Sequence, residues 1–330
     1  MKKKLFLVFL FIFLINNNHF VYGQSPLKIF LSGYDFTKDK EIIAKYDLLH
    51  LLKESNNIEQ RALTRKYKEI DGEKLYLDIY PPINKDKKNP VLVYFHYGYW
   101  KGMGRTGILN LSKPLLYYLN EQGFYVISVD GRQLPKGKFP NNVKDCKDAI
   151  RWIYKNSESY GFDTKNIGVL GASSGGHLAL LTAFSDNNSY IGDNELASYP
   201  SKVNYAVVYG TPTYFSKESE SNPYVKEYLG EYAKNRLNYI KASPIHYMNK
   251  KSIPILLIHG TKDTYVPFEH SQKILKKAKE LGLDFEFIKI ENGGHTVSEF
   301  LEKEISPSPV NIVHSILEYI EQKSNLSKDQ

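Results

Sequence analysis

The stretch "NIGVLGASSGGHLALL", residues 166–181, consists of an apolar run, a patch of small residues and a second apolar run. The first run is typical of a buried β-strand, and the second has the periodicity of a helix. In the small-residue patch, Ser173 fits the pattern G-x-S-x-G, because a glycine lies two residues away on either side. Ser174 does not fit, since Ala172 stands two residues before it. The stretch therefore predicts a strand–turn–helix unit of an α/β fold, with Ser173 on the turn.

The physical reason for the two glycines is crowding around such a turn. A sharp turn holds the serine in a strained backbone conformation, so only small residues fit two positions away, at Gly171 and Gly175. The same turn lifts the Ser173 hydroxyl off the sheet and directs the backbone amide of Ser174 into the same space. A Gly/Ser turn that merely starts a helix has the same local pattern, so the interpretation depends on the rest of the chain.

Strands and helices alternate along most of that chain. Apolar runs predict strands over residues 74–80, 91–97, 124–130, 166–171, 204–210, 253–260 and 284–290. Helical periodicity predicts helices near residues 109–121, 141–160, 268–281 and 308–322, besides the one after Ser173. This alternation indicates a mostly parallel sheet with helices on both faces, in which ligands bind at the C-terminal ends of the strands.

The domain boundaries follow from the same pattern. Residues 24–65 are polar and predict an N-terminal extension with one amphipathic helix, at about 38–54. The α/β domain is predicted over residues 66–325, and its first strand, 74–80, is expected at a partly exposed sheet edge because Pro81 and Pro82 stop it. A polar, Tyr-rich and irregular segment at about 211–252 predicts a small cap-like insertion.

The N-terminus has the pattern of a secretory signal. Three lysines precede an apolar run at residues 5–15, which is shorter than the roughly 20 residues that cross a bilayer. Val21 and Gly23 occupy the small-residue positions before a cleavage site, so residues 1–23 are predicted to be removed before Gln24. We expect the protein to be secreted or periplasmic, with no stable membrane insertion after the signal is removed. An uncleaved anchor is the alternative.

The composition and the charge argue against several other classes of protein. Removing the signal lowers the formal net charge from +8 to +5, and the remaining lysines are interleaved with acidic residues, so no nucleic-acid partner is expected. Cys146 is the only cysteine, which excludes an intramolecular disulfide. It shares a predicted helix face with Val143, Ile150 and Ile153 and is expected to be buried. No Cys/His pattern indicates a metal or another cofactor, and no pattern indicates an oligomeric state.

Two further residues complete a candidate catalytic set with Ser173. A serine hydroxyl becomes a good nucleophile when a base removes its proton. His295, in "ENGGHTV", and Asp263, in "IHGTKDTYVP", each follow a predicted strand, in the order Ser, Asp, His that this architecture uses. His295 is predicted to act as general base and then acid, with Asp263 fixing its tautomer. Glu291 is a less suitable acid, and His259 is expected to be a packing or hydrogen-bonding residue.

Several motifs together resemble a known family. They are "YFHYGYW" (94–100), "FPNNVKDCKDAIRWIYKN" (139–156), "GASSGGHLALL" (171–181), "SPIHYMNKKSIPILLIHGTKDTYVPF" (243–268) and "GGHTV" (293–297). Over about residues 66–322 the chain resembles the α/β-hydrolase fold, and within it the carboxylesterase/acyl-esterase group with bacterial feruloyl and acetyl esterases and hormone-sensitive-lipase-like enzymes. The resemblance implies a serine hydrolase that needs no cofactor.

The resemblance also implies an oxyanion hole. The family carries H-G-G-G-W or H-G-G-x-W at the strand exit, whereas this chain has Tyr97 and Tyr99 at glycine positions and keeps Gly98. By this resemblance, the backbone amides of Gly98, Tyr99 and Ser174 would bind the oxyanion. Substrate contacts are expected from Tyr97, Trp100, Tyr214 and Val266. Asp130 and Arg132 also match the family and are expected to form structural pairs.

The expected function is that of a secreted serine esterase acting through an acyl-enzyme. Its substrate would be a small-molecule or polysaccharide-linked ester, for example an acetyl or feruloyl ester of a plant polysaccharide. Two alternatives remain at this point: a small peptidase or amidase/formamidase of the same fold, and a non-catalytic binding module.

Overall fold

A mixed β-sheet forms the centre of the molecule. The computed structural model describes residues 39–84, 86–102, 104–111, 113–295 and 304–325. The sheet has eight strands in the order β1-β2-β4-β3-β5-β6-β7-β8. Their bounds are β1 Leu63–Ile70, β2 Glu73–Tyr80, β3 Asn89–Phe95, β4 Tyr125–Val129, β5 Phe162–Ala172, β6 Tyr205–Tyr209, β7 Ile255–Gly260 and β8 Phe285–Ile290.

Most neighbouring strands are parallel. β2 pairs antiparallel with β1 and with β4, and every pairing from β4 to β8 is parallel. The α-helices are α1 Lys40–Lys45, α2 Leu48–Glu54, α3 Gly107–Leu111, α4 Lys113–Glu121, α5 Asn141–Lys155, α6 Ser157–Tyr160, α7 Ser173–Phe184, α8 Pro223–Leu229, α9 Tyr232–Lys241, α10 Glu269–Leu281 and α11 Pro309–Asn325. The predicted α/β architecture is confirmed.

The sheet separates two apolar cores, because side chains of a strand point alternately to its two faces. In β3, Val91, Val93 and Phe95 join the core that contains α5 and α7, whereas Leu92 and Tyr94 join the core that contains α4 and α11. All residues of β3 are buried. This explains why the strand is a continuous apolar run instead of an alternating one.

The prediction of 74–80 as an edge strand is wrong. β1 lies outside β2, and it begins at Leu63, within the segment predicted as an extension. The sequence of β1, "LTRKYKEI", is mainly polar, and its first four residues are exposed. One of its lysines is nevertheless buried, because Lys68 Nζ donates to Asp145 Oδ1 at 2.7 Å and Asp148 Oδ2 at 2.8 Å. This strand is stabilised by ion pairs that no local pattern indicates.

Two other segments differ from their predicted helix content. The single helix predicted at 38–54 is divided into α1 and α2, and the Asp47 carboxylate caps α2 by accepting the His50 amide at 3.1 Å. The insertion over residues 211–252 has no strand, as predicted, but it is not irregular: it contains α8 and α9. Tyr228 and Tyr239 of these helices are buried in the core on the α5 and α7 side.

The remaining expectations concern burial and membrane insertion. Cys146 is fully buried with Val143, Ile150 and Ile153, as predicted. None of the helices in the described ranges combines the length and the apolar character needed to span a bilayer. The predicted signal, residues 1–23, lies outside the described residues.

Candidate active site

Ser173 lies where β5 ends and α7 begins. Its φ of 50° is in the left-handed region, which is rare for a residue with a side chain. A Cβ atom on Gly171 would lie 2.5 Å from the Gly175 carbonyl, and one on Gly175 would lie 2.2 Å from the Phe95 carbonyl oxygen. No side chain fits at either position, so the glycines permit the turn that presents the Ser173 hydroxyl.

A chain of hydrogen bonds joins the three residues predicted to act together. His295 Nδ1 lies 2.8 Å from Asp263 Oδ2, and His295 Nε2 lies 3.0 Å from Ser173 Oγ. An ionised carboxylate only accepts, so Nδ1 carries the proton and Nε2 of the neutral ring accepts the hydroxyl of Ser173. The geometry is that required for a histidine to take the serine proton.

Asp263 is held in its ionised form. Its Oδ1 accepts the backbone amides of Tyr265 at 2.9 Å and Val266 at 2.8 Å. Burial by itself raises the pKa of Asp263, but hydrogen bonds from His259, from His295 and from the Val266 amide outweigh it and lower the pKa to about 2. The site therefore contains a fixed negative charge that faces the His295 ring.

His259 contacts the same carboxylate from the other side. It is fully buried at the end of β7, and its Nε2 lies 3.2 Å from Asp263 Oδ2 and 2.9 Å from the Val266 carbonyl oxygen. Both neighbours are acceptors, so Nε2 carries a proton, and the Ser271 hydroxyl, 2.6 Å from Nδ1, donates to the ring when it is neutral. The hydrogen-bonding role expected for His259 is confirmed, but its contact with Asp263 was not predicted. The sequence feature that could have indicated this contact is the position of His259, four residues before Asp263.

Three other acidic or basic residues form pairs outside this chain of hydrogen bonds. The Glu291 side chain is half-exposed and forms an ion pair with Lys289. Asp130 binds Arg105, and Arg132 binds the buried Asp145, each at 2.8 Å. Asp130 and Arg132 therefore have structural partners, as expected.

The loop predicted to form the oxyanion hole has an unusual backbone. Gly98, Tyr99 and Trp100 all have positive φ, at 123°, 54° and 59°. The Gly98 amide donates to the Ser174 hydroxyl at 3.1 Å, so the hydroxyl of the second serine holds this loop against the turn. Ser174 was expected to contribute only its amide. Of the three predicted donors, the Gly98 amide thus points to a protein oxygen in this structure.

The aromatic side chains of this loop pack in different directions. The Tyr97 ring stacks on His96 at 4.8 Å between centroids, and the Tyr99 ring stacks on Tyr224 at 4.1 Å. Trp100 is only 3% exposed, and its Nε1 donates to His177 Nδ1 at 3.2 Å. Trp100 thus anchors the loop in the core.

Two cavities meet at Ser173. One is apolar and is lined by Tyr94, Tyr97, Leu115, Leu170, Gly171, Ala172, Val207, Tyr209, Ile258, His295, Ile312, Val313 and Ile316. The other is more polar and is bordered by Tyr99, Trp100, Ser174, Pro212, Tyr214, Phe215, Ser216, Glu218, Ser219, Ser221, Asn222, Val225, Thr264, Tyr265, Val266, Pro267, Glu269 and His270. Of the four predicted substrate contacts, Tyr97 therefore borders the apolar cavity, and the other three border the polar one.

Curated proteins of similar sequence are named esterases. Esterase LipQ of Mycobacterium tuberculosis is 27% identical over 64% of this chain and 51% of its own length. The probable isoprenylcysteine alpha-carbonyl methylesterase ICMEL1 of Arabidopsis thaliana is 24% identical over 67% of this chain and 48% of its own length. The chain spans about half the length of the curated relatives it matches.

Solved structures agree on the fold. Esterase Est2 of Thermogutta terrifontis superimposes with a TM-score of 0.61 at 25% identity, over 71% of this chain and 83% of that one. A truncated carbohydrate esterase from gut microbiota gives 0.64 at 22% identity, over 80% and 96%. The family model named BD-FAE matches residues 77–278, which is more than half of the sequence and contains Ser173 and Asp263. The chain belongs to the BD-FAE family, on the α/β-hydrolase fold.

Proposed function

We propose that this protein hydrolyses carboxylic esters through an acyl-enzyme formed on Ser173. The observation that carries the proposal is the hydrogen-bond chain from Ser173 Oγ through His295 to the buried Asp263 carboxylate. The names of the sequence relatives support the same reaction class. A binding module would have no need for a strained serine that donates to a histidine held by a carboxylate.

Each of the three residues in this hydrogen-bond chain has a defined part in the reaction. Ser173 Oγ attacks the ester carbonyl carbon as His295 Nε2 takes its proton, and Asp263 stabilises the imidazolium ion that results. His295 then donates that proton to the oxygen of the departing alcohol, which leaves the acyl group on Ser173. Water repeats the sequence with His295 again as base, releasing the carboxylic acid and restoring the serine.

The carbonyl oxygen gains negative charge during each attack. We assign its stabilisation to the backbone amides of Tyr99 and Ser174, with the Ser174 hydroxyl holding Gly98 in place. Ser174 lies in the first turn of α7, where amides have no acceptor within the helix and the helix dipole favours negative charge. One such donor is typically worth about 3 to 4 kcal/mol in the transition state.

The two cavities suit the two halves of an ester. We assign the acyl group to the apolar cavity and the alcohol to the polar one. The polar cavity combines aromatic rings at Tyr99 and Tyr265 with the carboxylates of Glu218 and Glu269, and Tyr265 is 49% exposed beside His295. Aromatic faces with nearby hydrogen-bonding groups suit a sugar ring, which supports a polysaccharide-linked ester as the substrate.

A panel of esters tests this function. Wild-type protein and Ser173→Ala are compared on 4-nitrophenyl esters from acetate to long acyl chains, on methyl ferulate and on acetylated xylan. Hydrolysis by the wild type alone, together with fluorophosphonate labelling of Ser173, is the expected result. Absence of a fluorophosphonate adduct at neutral pH would favour a binding module, and cleavage of amides in preference to esters would favour a peptidase or amidase.

Export is part of the proposal and has its own test. The protein is expressed with residues 1–23 in a bacterial host, and the exported form is sequenced from its N-terminus. A mature chain that begins at Gln24 is expected. A chain that keeps its first residues and sediments with membranes would instead indicate an uncleaved anchor.

A further inference from the structure

His177 is a buried histidine to which the proposed reaction gives no part. It lies one turn after Ser173 on α7, and its side chain is fully buried. Its Nδ1 lies 3.2 Å from Trp100 Nε1, and its Nε2 lies 2.6 Å from the Ala242 carbonyl oxygen. The ring therefore connects three separate segments: the helix that carries the nucleophile, the loop of residues 98–100, and the end of the insertion.

The two partners determine which nitrogen of the ring carries the proton. A carbonyl oxygen only accepts, so Nε2 of His177 carries the proton and donates it to Ala242. Trp100 Nε1 only donates, so it requires the lone pair that Nδ1 has in this tautomer. Burial lowers the pKa of His177 to about 4 although the bond to Ala242 raises it, so the ring is uncharged at neutral pH. The insertion thus fixes the tautomer that Trp100 needs.

The loop of residues 98–100 depends on such contacts because its backbone is strained. All three residues have positive φ, and conformations of this kind persist where the surrounding structure holds them. Two side chains of α7 do so: the Ser174 hydroxyl accepts the Gly98 amide at 3.1 Å, and His177 accepts the Trp100 N–H. Positions 174 and 177 are three residues apart and share one face of the helix. The helix of the nucleophile therefore binds both ends of the loop.

We propose that His177 is a positioning residue for the oxyanion hole, acting through Trp100 on the backbone amide of Tyr99. The inference rests on the proposed ester hydrolysis and on the assignment of the Tyr99 amide as an oxyanion donor. Trp100 directly follows Tyr99, so a shift of the indole would displace that amide relative to Ser173 Oγ. A displacement of about 1 Å at such a group can cost about 100-fold in rate. Because Ala242 fixes the tautomer, the oxyanion hole also depends on the insertion.

Two substitutions of His177 separate packing from hydrogen bonding. His177→Phe keeps a ring beside Phe215 and Tyr228, whose centroids lie 5.3 and 5.9 Å away, but it offers no acceptor to Trp100. His177→Asn places its Oδ1 at nearly the same distance from Cβ as Nδ1, so it restores that acceptor and loses the donor to Ala242. On 4-nitrophenyl butyrate, we expect His177→Phe to lower kcat about 10- to 100-fold with little change in KM. His177→Asn should stay within about fivefold of the wild type.

Two further measurements show whether the oxyanion hole is what changes. Butylboronic acid forms a tetrahedral adduct with an active-site serine and resembles the transition state, so its Ki should rise in His177→Phe by about the factor by which kcat falls. The pKa in the pH dependence of kcat/KM, which reports His295 of the free enzyme, should stay as in the wild type. An unchanged Ki or a shifted pKa would place the effect outside the oxyanion hole and contradict the inference.

The same hydrogen bond can be removed from its other end. Trp100→Phe keeps the aromatic contact with Tyr228 but lacks the N–H, so its kcat and Ki should change in the same direction as those of His177→Phe. In the double variant the second substitution should add little, because both remove one interaction. Wild-type kcat in Trp100→Phe would overturn the inference, and this result remains decisive where His177→Phe does not fold.

Tyr239→Phe is the matched control for the loss of a buried hydrogen bond in the insertion. The Tyr239 hydroxyl donates to the Gly230 carbonyl oxygen at 2.9 Å, so its removal should lower the melting temperature and leave kcat and Ki within about twofold of the wild type. If His177→Phe lowers kcat no more than this control does, or if His177→Asn is as slow as His177→Phe, His177 is a packing residue and the inference is wrong.

Hydrolysis of 4-nitrophenyl butyrate by the wild type but not by Ser173→Ala separates this inference from the proposed function. If the wild type does not cleave the butyrate ester, the proposed function fails and the inference fails with it. If the wild type cleaves it and both His177→Phe and Trp100→Phe keep the wild-type kcat, the proposed function stands and the inference about His177 alone is wrong.

Discussion

Two histidines bind the same oxygen of Asp263, and the difference between them lies at the opposite edge of each ring. His295 follows β8, and its side chain is 16% exposed; its second nitrogen faces Ser173. His259 is buried at the end of β7, and its second nitrogen faces the Ser271 hydroxyl. One ring connects the carboxylate to a strained serine on a cavity, and the other connects it to a serine within a helix. Of the two rings, the proposed reaction can therefore use His295, whose second nitrogen lies within hydrogen-bond distance of the Ser173 hydroxyl.

The largest expected difference is between removing one ring and removing the other. His295→Ala should lower kcat on 4-nitrophenyl butyrate about 10⁶-fold, because the serine loses its base. His259→Ala should lower kcat far less, by about 10- to 100-fold, because the base at Ser173 is still present. If the two variants lose activity equally, the division between a reacting and a supporting histidine is wrong.

Replacing the shared acceptor should have the next largest effect. Asp263→Asn keeps the size of the side chain but offers an amide in place of the carboxylate, so the His295 tautomer is no longer fixed. We expect kcat to fall about 10⁴-fold, as in other serine hydrolases with such a triad. A fall of less than tenfold would show that the orientation of His295 depends on other contacts.

His259 should act by positioning Asp263. Removing it leaves the carboxylate Oδ2 with one donor fewer, and a displacement of about 1 Å in a catalytic group can cost about 100-fold in rate. We expect His259→Ala to lower kcat by about 10- to 100-fold with little change in KM. His259→Gln supplies an N–H donor at a similar reach and should recover part of the loss. Equal rates for the two variants would assign His259 to packing alone.

The charge of Asp263 also predicts that the free energy of unfolding depends on pH in the acidic range. Its pKa falls from 3.8 to about 2 on folding, so its stabilising effect is present above pH 4 and is lost as the pH falls through about 2. The shift corresponds to about 2 kcal/mol. The difference in unfolding free energy between the wild type and Asp263→Asn should shrink by that amount between pH 5 and pH 2, measured by denaturant titration. A difference in unfolding free energy that stays constant between pH 5 and pH 2 would contradict this prediction.

The smallest effect is expected at the second serine. Ser174→Ala removes the hydroxyl that accepts the Gly98 amide but keeps the Ser174 amide. We expect kcat to fall by about threefold to tenfold, the value of one hydrogen bond. Ser173→Ala is the matched control and should abolish turnover. An unchanged kcat for Ser174→Ala would show that the other contacts of the loop, those of Tyr99 with Tyr224 and of Trp100 with His177, are enough to hold it.

Much of the fold could be predicted because buried parallel strands appear in the sequence as long apolar runs. The strands from 91–97 to 284–290 were found in this way, and the glycines around Ser173 identified the turn. β1 was missed because its burial depends on ion pairs between Lys68 and acids some 80 residues away, Asp145 and Asp148. The helices of the insertion were missed for a similar reason. Tyrosines stabilise α8 and α9 by packing into a core whose other residues are far away in the sequence.

The residues of the candidate site were found from their places after strands, but their supporting contacts were not. The bonds of His259 to Asp263 and of Gly98 to Ser174 join separate loops, and only the folded chain brings them within reach.

The loop from Gly98 to Trp100 also has a consequence for evolution in the laboratory. Tyr99 and Trp100 hold left-handed backbone conformations that cost about 1 to 3 kcal/mol each, and only the contacts around them retain this shape. Selection for heat resistance alone should therefore replace Tyr99 with asparagine or glycine, which adopt such conformations more easily. The variants selected should survive higher temperatures and hydrolyse esters more slowly, since the loop would gain freedom where the transition state needs rigidity.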